Sequence, residues 1–252
     1  YHSAMKKLLS ICLILLVAAA LVKVLLPQEP TAREKAVAAL QEKDIAEDDY
    51  DTALQRAVQE KQGRLIRDLL LAGADPNART PQGNPLIVEV THQNSLTLVQ
   101  RFLDAGADIN AKGQEDITPL HRAMWDRHHK MSQMLIKAGA DVNCRQVQGT
   151  TPLMIASFSD DTSVPEMLIS RGADIDAVDS TNASVLLWAV DRNRLWLVRL
   201  LLEHGARPDV ADNKGRTPLS LAMQRGHHNV ARELIKAGAS TEGIDVSKLP
   251  AW

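Results

Sequence analysis

Two adjacent-histidine pairs, His128-His129 and His227-His228, are the residues of this 252-residue chain whose type and grouping come nearest to metal chemistry. Imidazoles hold a transition metal when further donors converge on the same point. Adjacent residues on a helix do not face one another, and neither pair has a Cys or carboxylate partner at a recognised ligand spacing. Both pairs begin nine residues after a proline, Pro119 and Pro218, so they mark a recurring position rather than a ligand shell. Nucleophilic and hydrolytic chemistry lacks its motifs: the chain carries no G-x-S-x-G elbow, P-loop, H-E-x-x-H helix or Cys-His pairing. The acidic run Glu47-Asp48-Asp49 with Asp51 reads as a solvated cluster at a helix entry rather than a carboxylate dyad. No catalytic residue, metal site or cofactor is predicted.

The organisation of the chain explains why histidines recur in register. Gly73-Ala74, Gly106-Ala107, Gly139-Ala140, Gly172-Ala173, Gly205-Ala206 and Gly238-Ala239 each stand 33 residues apart. Thr118-Pro119-Leu120-His121-Arg122-Ala123 begins 21 residues before its glycine, as do Thr151-Pro152-Leu153 and Thr217-Pro218-Leu219, with weaker copies from Thr52, Pro85 and Ser184. Thr118 suits an N-cap and Pro119 the first helical position. Leu120 and Ala123 then share one helix face. A second apolar run, such as Leu197-Val198 with Leu200-Leu201-Leu202, is spaced for a second amphipathic helix that the glycine ends in the left-handed conformation. Asp212-Asn213-Lys214-Gly215 is turn chemistry for a connecting finger. In the second and fifth units the slots keep their core residues Ile87 and Leu186 and are expected to lose their capping. One such unit cannot bury its apolar face alone, whereas six stacked units can.

This pattern resembles the ankyrin repeat over residues 50–240, carried best by Thr118-Pro119-Leu120-His121, Met134-Leu135-Ile136 and Gly139-Ala140-Asp141-Val142-Asn143. The resemblance implies an all-α solenoid of six helix pairs with finger loops, and a role in binding another protein rather than in catalysis. It gives His121 a structural role in the inter-repeat loops. It also implies that residues two and three past the signature alanine point into a concave groove. Trp125 and Asp126 take those positions after Ala123, and Phe158 and Ser159 take them after Ala156. Aligned slots hold His92 and Gln93, Asp191 and Arg192, and Gln224 and Arg225. Large rings in a groove serve as interface anchors or tuck between repeats as core; Trp188 and Trp196 read as core. Lys112, Glu115 and Asp116 would rim the groove, and the fingers add Arg145, Gln146, Asp179, Asn182, Asn213 and Lys214 as partner contacts.

Residues 1–4 read as sequence upstream of Met5, and residues 5–26 as an apolar leader. Lys6-Lys7 precede a run from Leu8 to Leu26 interrupted only by Lys23. Ala18-Ala19-Ala20 would permit cleavage before Leu21, while the run is also long enough to anchor in a bilayer. Either reading puts the repeats outside the cytoplasm, in a periplasm. Ile11 before Cys12 is too bulky for a lipid-attachment site. Residues 27–49 read as a linker and a capping helix with Thr31 and Glu34 at its start, and residues 241–252 as a tail. Beyond the leader 26 basic groups face 31 acidic ones, a charge of −5 that disfavours nucleic acid as a partner. Membrane contact is expected only through the leader, and the protein is expected to be monomeric on its own. The expected partner is a protein. Ankyrin proteins of this exported kind include immunity proteins that neutralise a toxic effector enzyme and adaptors that dock a resident enzyme.

Overall fold

The computed structural model describes residues 30–250, so the leader, residues 1–4, the start of the linker and the last two residues lie outside the described part. Among the described residues every α or β element is a helix, apart from isolated bridges between Arg79 and Pro85 and between Val178 and Ser184. Helix α1 (Ala32–Gln41) precedes six pairs: α2 (Tyr50–Gln59) with α3 (Gly63–Ala72), α4 (Leu86–His92) with α5 (Leu96–Asp104), and α6 (Pro119–Trp125) with α7 (His129–Lys137). The remaining pairs are α8 (Pro152–Ile155) with α9 (Ser163–Ser170), α10 (Val185–Asp191) with α11 (Leu195–Glu203), and α12 (Pro218–Arg225) with α13 (His228–Lys236).

Capping chemistry starts these helices. Thr118 Oγ1 accepts from the His121 amide at 3.4 Å, and Thr151 and Thr217 cap α8 and α12 the same way. Ser184 accepts from the Leu187 amide at 3.1 Å, which corrects the expectation that the fifth unit had lost its cap. A serine hydroxyl satisfies the same orphan donor, so the missing proline costs nothing essential. Among the six first helices two lack a side-chain cap, α2 and α4, the latter entered by Pro85. Thr31 and Glu34 cap α1 reciprocally.

The core is one continuous row. Leu54, Ile87, Leu120, Leu153, Leu186 and Leu219 occupy the same slot at 33-residue intervals, and each is at most 1% exposed. Each such side chain contributes roughly 1.5–3 kcal/mol by leaving water. First helices pack in sequence from α2 through α4, α6, α8 and α10 to α12, and α1 packs on α3. Each second helix ends at a left-handed glycine, with φ of 94° at Gly106 and 95° at Gly139.

A polar ladder ties the fingers together. Asn77 Oδ1 accepts from the Asp108 amide at 2.8 Å, Asn110 from Asp141 at 2.8 Å, and Asn143 from Asp174 at 2.7 Å. Asp176 and Asp209 continue it by accepting from the amides of Arg207 and Ser240. Where the acceptor becomes a carboxylate at Asp176, the Arg207 guanidinium binds its second oxygen at 2.9 Å.

The fourth repeat departs from the others. Its first helix is α for only four residues and closes as a 3₁₀ turn, Ala156–Phe158. Elsewhere a single left-handed residue joins the two helices: Lys61, Asn94, Arg127, Asn193 or Gly226. Here Ser159 is extended instead, and Asp161 caps α9 through the Val164 amide at 2.9 Å.

Candidate functional site

The groove positions lie together at the C-terminal ends of the first helices. His92 ends α4 and Gln93 caps it, Trp125 ends α6 and Asp126 caps it, Asp191 ends α10 and Arg192 caps it, and Gln224 and Arg225 close α12. Phe158 and Ser159 close the 3₁₀ turn of the fourth repeat. Because successive first helices stack, these ends form one row across repeats two to six.

Three rings converge at its centre. Trp125 meets Phe158 edge to face at 5.0 Å, and Phe158 meets Trp188 at 5.7 Å in the same geometry. The Arg192 guanidinium lies 3.7 Å over the Phe158 ring. Trp125 is 36% exposed, so its ring is held on one side and wet on the other. Edge-to-face pairs add about 0.5–1.5 kcal/mol beyond burial, and a guanidinium over a ring adds a similar amount. The cluster is therefore set in place before any partner arrives. Trp188 is half-buried against the core: its indole Nε1 donates to Asp179 Oδ2 at 2.9 Å while its face meets Phe158. The register alone does not settle this placement: Arg56, Glu89 and Arg122 hold the same slot, but so do buried Ile155 and Leu221. Trp196 packs at the edge of the core.

Beside the cluster a 290 Å³ pocket opens between the fingers and first helices of repeats five and six, lined by Trp188, Asp191, Arg192, Arg216 and Arg225 among others. Arg225 pairs with Asp191 at 2.8 Å across the repeat boundary, and Arg216 grips buried Asp212 with two bonds of 2.8 and 2.6 Å. Burial alone would raise the Asp212 pKa, but the Arg216 side chain and the Arg216 and Lys214 amides hold it below the usual carboxylate range. Arg192 has no carboxylate within ion-pair distance among the described residues; its guanidinium rests on Phe158 and borders the pocket. Sequence reasoning did not single out Arg216. At the other end His92 Nδ1 lies 2.7 Å from Asp126, with Arg122 at 3.9 Å.

Several expected contacts also serve the fold. Gln93 donates to the Val58 carbonyl at 2.7 Å, locking repeat two to repeat one. Asp179 accepts from the Thr181 and Ala183 amides as well as from Trp188. Arg145 clamps two fingers through the Gly149 and Val178 carbonyls at 3.3 and 2.7 Å. Ser159 shapes its own turn by accepting from Asp161. Lys214 and Gln224 remain exposed. The fingers of Gln146, Asn182 and Asn213 are stitched to neighbours by backbone and amide bonds.

His121 and Cys144 bring imidazole and thiol together at 3.6 Å, yet the pair is built for packing. Burial pushes the His121 pKa down to about 4, and burial pushes the Cys144 thiol up to about 11. A neutral imidazole beside a protonated thiol cannot supply a thiolate nucleophile at neutral pH. His121 instead bridges Thr118 at 3.0 Å and the Thr150 carbonyl at 3.3 Å, joining adjacent repeats. Among the described residues no three His, Cys, Asp or Glu side chains gather as a metal site, and His129 reaches only Asp161, at 3.8 Å.

Stacked helix pairs, a stitched row of fingers and a preset aromatic centre define a helical-repeat solenoid built for recognition. Family models for ankyrin repeats match residues 49–81 as a single repeat, and 86–179 and 166–245 as three-copy arrays, and the chain belongs to the ankyrin-repeat family. Members of this family act as protein–protein interaction modules and are typically not enzymes. No curated protein matches the chain.

Proposed function

We propose that the chain is an exported binding protein of the immunity type, which captures a toxic effector enzyme, such as a secreted lipase, in the groove and blocks it. The observation that carries the groove assignment is the Trp125–Phe158–Trp188 cluster with Arg192 stacked on it. Rigid aromatics with an arginine stacked on them are what interface centres are made of. Export, to a periplasm, rests on the basic start and apolar run of residues 5–26. The leader, cleaved or kept as an anchor, equally supports a second reading, an adaptor that docks a resident enzyme at the inner membrane.

The test is capture from periplasm, followed by a pairwise assay on the partner that co-purifies. Trp125→Ala is expected to weaken binding at least thirtyfold, about 2 kcal/mol. The ring is 36% exposed, so truncation costs some burial as well as the edge-to-face contact, and the loss of stability should be smaller than the loss of affinity. Equal losses of affinity and stability would make Trp125 core and overturn the groove assignment. For immunity, the captured enzyme should lose activity in the complex, and cells exporting the repeats should survive it. A partner that stays fully active, with no protection of cells, removes immunity and leaves the adaptor.

A further inference from the structure

The outer face of the first two repeats carries chemistry that the groove does not use. Lys61, Arg64, Arg67 and Arg101 line one 610 Å³ depression between α3 and α5. Arg67 and Arg101 also line an adjoining 440 Å³ depression floored by Leu70 and Leu71. The two form one continuous surface. Leu71 is 42% exposed, one of few large apolar side chains so placed among the described residues.

The charges here are unusually available. Asp68 is taken by Arg67 at 2.8 Å and Asp104 accepts from Gln100 at 2.8 Å. Lys61, Arg64 and Arg101 have no carboxylate within ion-pair distance among the described residues. On the same face of repeats five and six the arrangement is different: Arg199 on α11 pairs with Glu233 on α13 at 3.0 Å. A basic patch on a chain whose charge beyond residue 26 is −5 is a local feature, not the average.

We infer that the outer face of α3 and α5 lies on an anionic lipid bilayer, its three unpaired cations, Lys61, Arg64 and Arg101, among the headgroups and Leu71 at the acyl boundary. Basic residues rimming an exposed apolar side chain are the pattern that interfacial association uses. A soluble acidic partner would leave Leu71 without a role. Position along the chain agrees. Helix α1 packs on α3 and begins six residues after Leu26, a reach of at most about 20 Å from the end of the apolar run. With that run in a bilayer, α3 stands close to the surface. The inference stands apart from what the groove binds.

The experiment uses the full chain with Cys12→Ser and Leu71→Cys, labelled at position 71 with an environment-sensitive dye; buried Cys144 is shielded from labelling. It is added to phosphatidylcholine vesicles with or without about one third phosphatidylglycerol. The expected result is a blue shift larger on anionic than on neutral vesicles, the excess being reversed by high salt. Each cation is worth on the order of fivefold in partitioning, so Arg64→Glu with Arg101→Glu should reduce that shift at least twentyfold in lipid required. Arg64→Gln with Arg101→Gln gives an intermediate loss and guards against misfolding, checked by circular dichroism. Equal shifts on both vesicle types, no shift on either, or the same response to soluble polyphosphate would each overturn the assignment.

Discussion

His121 shows how one buried side chain sets the pH range of the whole array. It joins the turn before α6 to the Thr150 carbonyl of the next unit, and it is 0% exposed. Its pKa is lowered to about 4 in the folded chain, against an ordinary 6.5. The unfolded chain therefore takes up a proton that the folded chain refuses. Stability from this group is complete above about pH 6.5 and is lost as pH falls through about 4, a total near 3 kcal/mol. Urea titrations between pH 7.5 and 4.5 should show that loss, and His121→Gln should flatten the slope in this window despite lower stability at pH 7.5. Parallel slopes would mean that the imidazole is not buried neutral.

At the scale of elements, the helix ends and the fingers use glycine for different reasons. Gly139 sits at φ 95° with open space where a Cβ would go, so Gly139→Ala pays only the left-handed conformation, about 1 kcal/mol. Gly149, at φ 76°, would place its Cβ 3.2 Å from the Ser180 amide nitrogen and 3.3 Å from Asp179 Cα in the next finger. Gly149→Ala should therefore cost about 1–2 kcal/mol more, since backbone on both sides must move. Urea midpoints of the two variants decide it, and equal costs would mean that the fingers are not closely stacked. The third finger solves the same turn with Glu115 and Asp116 at φ of 55° and 57°, which non-glycine residues adopt at some cost.

The whole molecule is a linear array whose cohesion depends on nearest neighbours. Its weakest link is the fourth repeat, where a four-residue α-helix and an extended Ser159 replace a full turn and a left-handed joint. Regions with fewer regular hydrogen bonds open first. Limited proteolysis with thermolysin should therefore cut first between residues 156 and 162, leaving two halves of about three repeats each. First cleavage in any finger instead would show that the array does not open there. The same irregularity brings Phe158 against Trp125 and Trp188, so the site and the soft point coincide.

The 33-residue register by itself determined the ankyrin architecture, the helix pairs, the glycine stops and the core slot from Leu54 to Leu219. Those features follow from local chemistry repeated at a constant step: a cap, an apolar face and a residue able to take positive φ. The register also placed Trp125, Phe158, Asp191, Arg192 and Arg225 in one row. Only the tertiary structure showed what else these side chains touch. Gln93 and Arg145 looked like contacts, yet each also bonds a carbonyl of a neighbouring repeat or finger, and Asp179 holds the amides of its own turn and the Trp188 indole. Trp188 packs against the core as expected, and its ring also meets Phe158 in the groove cluster. The reason is physical. A repeat's sequence specifies its own helices, but whether a polar side chain at its edge faces water or a neighbour's backbone depends on how the next unit stacks against it.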